Sequence, residues 1–260
     1  DGIELHALAS PDGCTVLRRA DVRPELVDPP RFEARFERNW AVGSFTSLTK
    51  NTVAPPTRPQ EENLLEEEDP GVVAVTHSED APWHRFPRGA GPGNFLHEQL
   101  EWMAHEGFGQ VDDEQFRTRL AQRIQRAGWG NRLDDALAWL RMIAVTPLPP
   151  VGCALADIDA PLAEMEFWFP SRQLDVAALD RLCRRGMLGN TPRPTLPERQ
   201  LHGMLKGFTD LVFECGGRYW VLDYKSNALG PGDLSYTQAA MAAGMAAHRY
   251  DVQGAIYMLA

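Results

Sequence analysis

A mixed α/β domain with a mainly antiparallel sheet is the fold class this sequence predicts, on three observations. Two β-prone stretches, at 208–214 and 218–225, flank Cys215-Gly216-Gly217. Gly-Gly is a favoured two-residue hairpin turn. AEMEFWFP, at 163–170, alternates and is aromatic, as a half-buried strand should be. Apolar residues elsewhere recur at helical spacing.

Taken in order, residues 1–30 contain a possible hairpin, ELHALAS and CTVLRRA around Pro11-Asp12-Gly13. Residues 1–39 are expected to be a tether and 40–92 a linker. From 51 to 92 the chain is dense in proline and acid and is expected to be irregular. The regular pattern of a domain at 93–260 then begins. GNFLHEQLEWMAHEG predicts a helix with Phe95, Leu96, Leu100 and Met103 on one side. Further helices are expected at 112–127, at 132–143 with Leu133, Leu137 and Leu140 inward, and at 174–185. A long Ala- and Met-rich helix is expected over 235–260, with Met241 and Met245 read as core. The chain opens on Asp1 and ends inside that helical pattern, so a piece of a longer protein, truncated at its C-terminal end, is expected.

At 260 residues and 43% hydrophobic, the chain can bury a sizeable core. It has no apolar run of the roughly 18 residues that a membrane span needs, and no signal-peptide pattern. No membrane association is expected, and a cytoplasmic location is. Cys14, Cys153, Cys183 and Cys215 form no CxxC pair, which argues against structural zinc and iron–sulfur clusters and for free thiols. The net charge of −10 weighs against nucleic-acid binding by global attraction, but EENLLEEED (61–69) concentrates much of it locally. No G-x-x-x-x-G-K-[ST] occurs, so no Walker-type ATP site is expected.

The hairpin poses a chemical problem. With Gly216-Gly217 as the turn, Asp210 falls directly opposite Asp223, with Lys225 on the same face and Tyr224 on the other. Directly opposite side chains have Cβ atoms roughly 4.5–5.5 Å apart, and like charges there are destabilising. A divalent cation reverses that penalty, because hard carboxylate oxygens are what Mg²⁺ requires. A lysine beside such a site suits attack on a phosphate ester. Spacing alone also accommodates a rim salt bridge between Lys225 and one aspartate, with the other solvated.

GMLKGFTDLVFECGGRYWVLDYKSN, followed by YTQAAMAAGMAAHRYDVQGAIYML, resembles the nuclease domains of the RecB family, subunits of bacterial RecBCD helicase–nucleases. Their fold is the PD-(D/E)xK, restriction-endonuclease-like type, a mixed sheet with flanking helices, here preceded by an irregular linker. FPRGAGPGNFLHEQLEW and EMEFWFP resemble earlier blocks of that family. The resemblance implies a DNA exonuclease acting in double-strand-break repair and recombination. Asp210 and Asp223 would be its metal-binding acids, Lys225 its catalytic lysine and His97 a further ligand. The main-chain carbonyl of Tyr224 would complete the coordination. Glu164 would support the site, and Gln253 and Tyr257 would line it in a Q-x-x-x-Y motif. One or two Mg²⁺ ions are implied, with Mn²⁺ or Ca²⁺ as substitutes in binding. The partners implied are DNA, in single-stranded form, and RecC-like and RecD-like subunits.

Taken singly, these residues have plainer readings. His97 on an apolar helix face suits a core histidine. Glu166 shares a strand face with Glu164. Gln253 and Tyr257, at i and i+4, suit ordinary helix packing. Arg85 and Arg88 suit solvated loop charge as well as phosphate contact. A module of the same fold without catalysis, for DNA holding or subunit docking, and a phosphohydrolase of small substrates are the rivals.

Overall fold

A computed structural model describes residues 40–50 and 81–260. The hairpin expected within 1–30, the tether and the central part of the linker lie outside these residues. Among the described residues the sheet has four strands: β1 (Ala41–Gly43), β2 (Leu162–Asp175), β3 (Gln200–Cys215) and β4 (Arg218–Leu222). β3 is its axis. β2 runs antiparallel along one edge of β3. The other edge is shared, with β1 parallel at Gly203–Leu205 and β4 antiparallel at Leu211–Cys215. The chain is thus α/β with a small, open, mixed sheet and flanking helices.

The hairpin has the register its turn dictates. Pairs run from Leu211↔Leu222 to Cys215↔Arg218, and Gly216 and Gly217 both take positive φ, as a tight two-residue turn requires. Gly203, with φ +142°, lets β1 approach: a Cβ there would lie 1.9 Å from the Ala41 carbonyl oxygen.

Helices cover the two halves of β3 separately. Over the hairpin half lie α3 (Ala90–Glu106), α4 (Glu114–Arg126) and α5 (Leu133–Val145). Phe95, Leu96, Leu100 and Met103 of α3 are all buried there, as their spacing predicts. Phe116, Leu120 and Ile124 of α4 and Leu140 of α5 join them against Leu211 and Phe213. The Asp113 carboxylate starts α4 by accepting the Phe116 N–H at 2.8 Å. A second core joins α1 (Phe45–Thr49), α6 (Val176–Gly186) and α8 (Tyr250–Tyr257) over the other half. Leu48, Val176, Cys183, Val252 and Ile256 pack there on Phe167, Leu201 and Leu205. Among the described residues no helix is long and apolar enough to cross a membrane.

Three readings are corrected. The helix expected over 235–260 is broken into α7 (Gln238–Ala247) and α8 at Arg249, which takes a left-handed backbone (φ 59°). The break is held by a buried ion network (below), which periodicity does not reveal. Met245 of α7 is exposed and Met241 is only half-buried, so that stripe is not core: the helix rests on small residues such as Ala246. Finally, residues 40–50, assigned to the linker on composition, form β1 and α1, while α2 (Pro82–Arg85) and the start of α3 occupy its other end.

Candidate active site

β1 and β4 approach along the same edge of β3 from opposite directions and stop short of one another. β1 ends opposite Leu205 and β4 opposite Leu211, so among the described residues none pairs as a strand with 206–210 of β3 on that side. A cavity of about 600 Å³ opens at this gap. Ser44 and Phe45 border it where β1 ends, and Asp223 to Ser226 where β4 ends. α3 contributes His97 and α8 contributes Gln253 and Tyr257.

Three acids occupy one rung of the ladder. One step beyond Leu211↔Leu222, the register sets Asp210 opposite Asp223. On the other side, Ala163↔Leu211 and Met165↔Thr209 bracket Glu164 opposite Asp210. Glu164 takes a left-handed backbone (φ 49°), a conformation that costs a non-glycine residue about 1–3 kcal/mol. Burial, and then the charges of Asp210, Glu101 and Asp223, push its carboxyl up to about 7.

The aspartates are oriented by neighbours from distant parts of the chain. Asp210 Oδ2 accepts the Tyr224 N–H at 2.6 Å and lies 3.5 Å from His97 Nδ1. Asp223 Oδ1 accepts the Gln253 side-chain N–H at 3.0 Å, and Oδ2 is 2.5 Å from Lys225 Nζ. Gln253 also donates to the Tyr257 hydroxyl at 2.8 Å. Burial raises the pKa of Tyr257, as does the charge of Asp223, so it stays a neutral phenol. Lys225 Nζ lies 4.5 Å from the Tyr250 ring centroid, a cation–π distance.

The eight residues assigned to the site from the sequence, namely His97, Glu164, Asp210, Asp223, Tyr224, Lys225, Gln253 and Tyr257, all line this cavity. β4 ends at Leu222, so Asp223 and Lys225 sit on the irregular segment after the strand, where the sequence predicts that it continues to 225. The Tyr224 ring packs against the first core and meets His97 edge-on. Glu166 does not line the cavity; it pairs with Lys206 at 2.8 Å and accepts the Trp168 indole N–H. Arg85 is engaged by Asp135 at 2.6 Å. Arg88 bonds the carbonyls of Trp83 and Ser226, so it fastens the segment that follows Lys225. Sequence reasoning missed this role of Arg88, and also Tyr250, which follows the helix break and carries no motif of its own. It also missed the contact that the fold makes between Cys153 and Cys215, 2.9 Å apart at their sulfurs.

The donor set, carboxylate oxygens plus one imidazole nitrogen, suits a hard divalent cation. Among the described residues no three His, Cys, Asp or Glu side chains converge as a ready ligand cluster. Asp210 and Asp223 are turned toward Tyr224, Gln253 and Lys225 instead.

No family model matches the chain. Among curated proteins it is 38% identical over 228 residues to the RecBCD enzyme subunit RecB of Escherichia coli K12, covering 85% of this chain and 18% of that protein. It is 29% identical over 254 residues to the protein of that description from Haemophilus influenzae, covering 88% and 20%. With the one from Mycolicibacterium smegmatis it shares 26% over 247 residues, covering 83% and 22%. The chain spans about a fifth of the length of these relatives. Over the stretch it matches, the chain is a member of the RecB family.

Proposed function

We propose that this chain is the Mg²⁺-dependent nuclease domain of a RecBCD-type helicase–nuclease, with a PD-(D/E)xK core, and that it hydrolyses phosphodiester bonds in DNA. The observation that carries the reading is the rung of Glu164, Asp210 and Asp223 with Lys225 on its flank, in a cavity that α3 and α8 also line. Asp210, Asp223 and His97 would hold the cation, with the Tyr224 carbonyl beside them and Glu164 in support. When bound, Mg²⁺ supplies polarisation of a phosphate oxygen and makes a water acidic enough to ionise near neutral pH.

The chain's own residues do the rest. The Tyr224 N–H and the Gln253 amide fix the two aspartates in orientation. Lys225 exchanges its contact with Asp223 for the substrate and places positive charge where the phosphoryl oxygens gain negative charge. Water adds to phosphorus in line, the opposite P–O ester bond breaks, and the departing oxygen takes up a proton. Lys206 and Phe208 also line the cavity, and the Lys206 ammonium lies 4.8 Å from the ring centroid of exposed Trp168. Aromatic faces next to a cation suit the bases and phosphates of an extended single strand. RecC-like and RecD-like partners belong to the same proposal.

Degradation of labelled single-stranded DNA tests it. Cutting should require Mg²⁺, vanish in D223A and fall roughly 10²–10⁴-fold in K225M. Cutting without divalent metal, or unchanged in D223A, would overturn it. A second reading, a silent module that holds DNA or docks a subunit, draws on the engagement of Asp223 by both Gln253 and Lys225. Calorimetric titration separates the two: the silent module should show no saturable Mg²⁺ or Mn²⁺ site that D210N and D223A abolish.

A further inference from the structure

Cys215 is the last residue of β3, at the hairpin turn, and Cys153 lies in the connection from α5 to β2. They are 62 positions apart in the chain, yet their Sγ atoms are 2.9 Å apart, inside the contact distance of two unbonded sulfurs. The backbone at both positions is anchored. The Cys153 carbonyl accepts the Leu148 N–H at 2.9 Å, and the Cys215 carbonyl accepts the Trp220 indole N–H at 3.2 Å. Cys215 is also paired with Arg218 in the ladder. Both residues are only half-buried, which leaves a small reagent a route to the pair. Cys183, on α6, is buried in the other core with Val252 and Ile256 of α8.

We propose that Cys153 and Cys215 are a reversible disulfide pair, closed by exchange with a low-molecular-weight disulfide such as glutathione disulfide, and that the bond latches the hairpin tip to the segment after α5. In the first step one protein thiolate attacks the reagent, its S–S bond breaks, and one glutathione thiolate leaves. In the second, the neighbouring protein thiolate attacks the mixed disulfide, a protein S–S bond forms and the second glutathione leaves. The two protons lost by the protein end on the two glutathione thiols. The protein is oxidised by two electrons and the reagent is reduced by two. The Cys153 thiol is held above the ordinary range by its contact with the Cys215 sulfur and then by burial. The loop so closed contains β2, α6 and β3, and with them Glu164 and Asp210. The inference stands on the thiol geometry and is independent of the nuclease reading.

The test is to incubate the protein with glutathione disulfide, alkylate the remaining thiols and map peptides without reduction. The expected result is a peptide pair joined through Cys153 and Cys215, with Cys183 alkylated once the protein is unfolded, and full reversal by dithiothreitol. The oxidised protein should melt higher by on the order of 10 °C, because closing a long loop constrains the unfolded chain. C153A should stop at the glutathione adduct on Cys215. Wild-type protein that also stops at that adduct, or that forms the link only when unfolded in urea, would overturn the proposal. These deciding readouts use wild-type protein, so they stand even if C153A fails to fold.

Discussion

Asp223 has one oxygen on the Gln253 amide and the other on Lys225, and the carboxylate across the ladder faces His97 and the Tyr224 N–H. Glu164, the third acid of the rung, is the residue that pH should move. Its folded-state pKa, about 7, lies above the ordinary glutamate value of 4.5. A raised acid binds its proton more tightly in the native state, so its contribution is present below pH 4.5 and is lost as pH rises through 7. In metal-free protein, E164Q should therefore flatten the fall in melting temperature across that window and melt higher at pH 8. Relief of about 1 kcal/mol corresponds to roughly 2–4 °C in a domain of this size. Scanning calorimetry in a chelating buffer at pH 5 and pH 8 measures it; a wild-type curve flat across the window would contradict the assignment. Glycine pairing and strand alternation were enough to set Asp210 against Asp223, because a two-residue turn admits one register. Gln253 and Tyr257 came from motif resemblance alone, since helical spacing does not say which sheet edge a helix will meet.

At the scale of elements, the break between α7 and α8 matters most for the site. Arg249 reaches Asp251 at 3.1 Å and Asp180 at 2.7 Å, while Arg193 holds Asp251 at 2.8 Å, and all four side chains are nearly inaccessible. Burial by itself would push Asp251 up, but hydrogen bonds and charge from Arg249 and Arg193 outweigh it and hold the carboxyl below its ordinary range. Such a group stabilises at neutral pH, and that contribution is lost as pH falls through the carboxylate range. D251N leaves two arginines facing a neutral group and should cost about 3–5 kcal/mol, read by urea unfolding at pH 7. The loss should shrink toward pH 3. No periodicity rule could have found this network, because its members lie on α6, on the connection to β3 and at a backbone kink. The regular elements were legible for the opposite reason: Phe116, Leu120 and Ile124, or Phe95 through Met103, advertise one buried face in the spacing itself.

For the whole molecule, Trp168 of β2 stands 48% exposed, its ring beside Lys206, which lines the cavity. W168A should weaken binding of a single-stranded oligonucleotide roughly tenfold, within the range of about 1–3 kcal/mol for one stacked base. Hydrolysis of a small phosphodiester should change little. Fluorescence anisotropy and a chromogenic ester assay supply the two readouts, and equal losses in both would point to a small-substrate enzyme. Assembly also has an order in time. His97 is made early, the hairpin later, and the Gln253 amide that orients Asp223 later still. On the ribosome, the nascent chain therefore carries its paired acids before the residues of α8 are added, and the proposed cutting chemistry waits for that helix to dock.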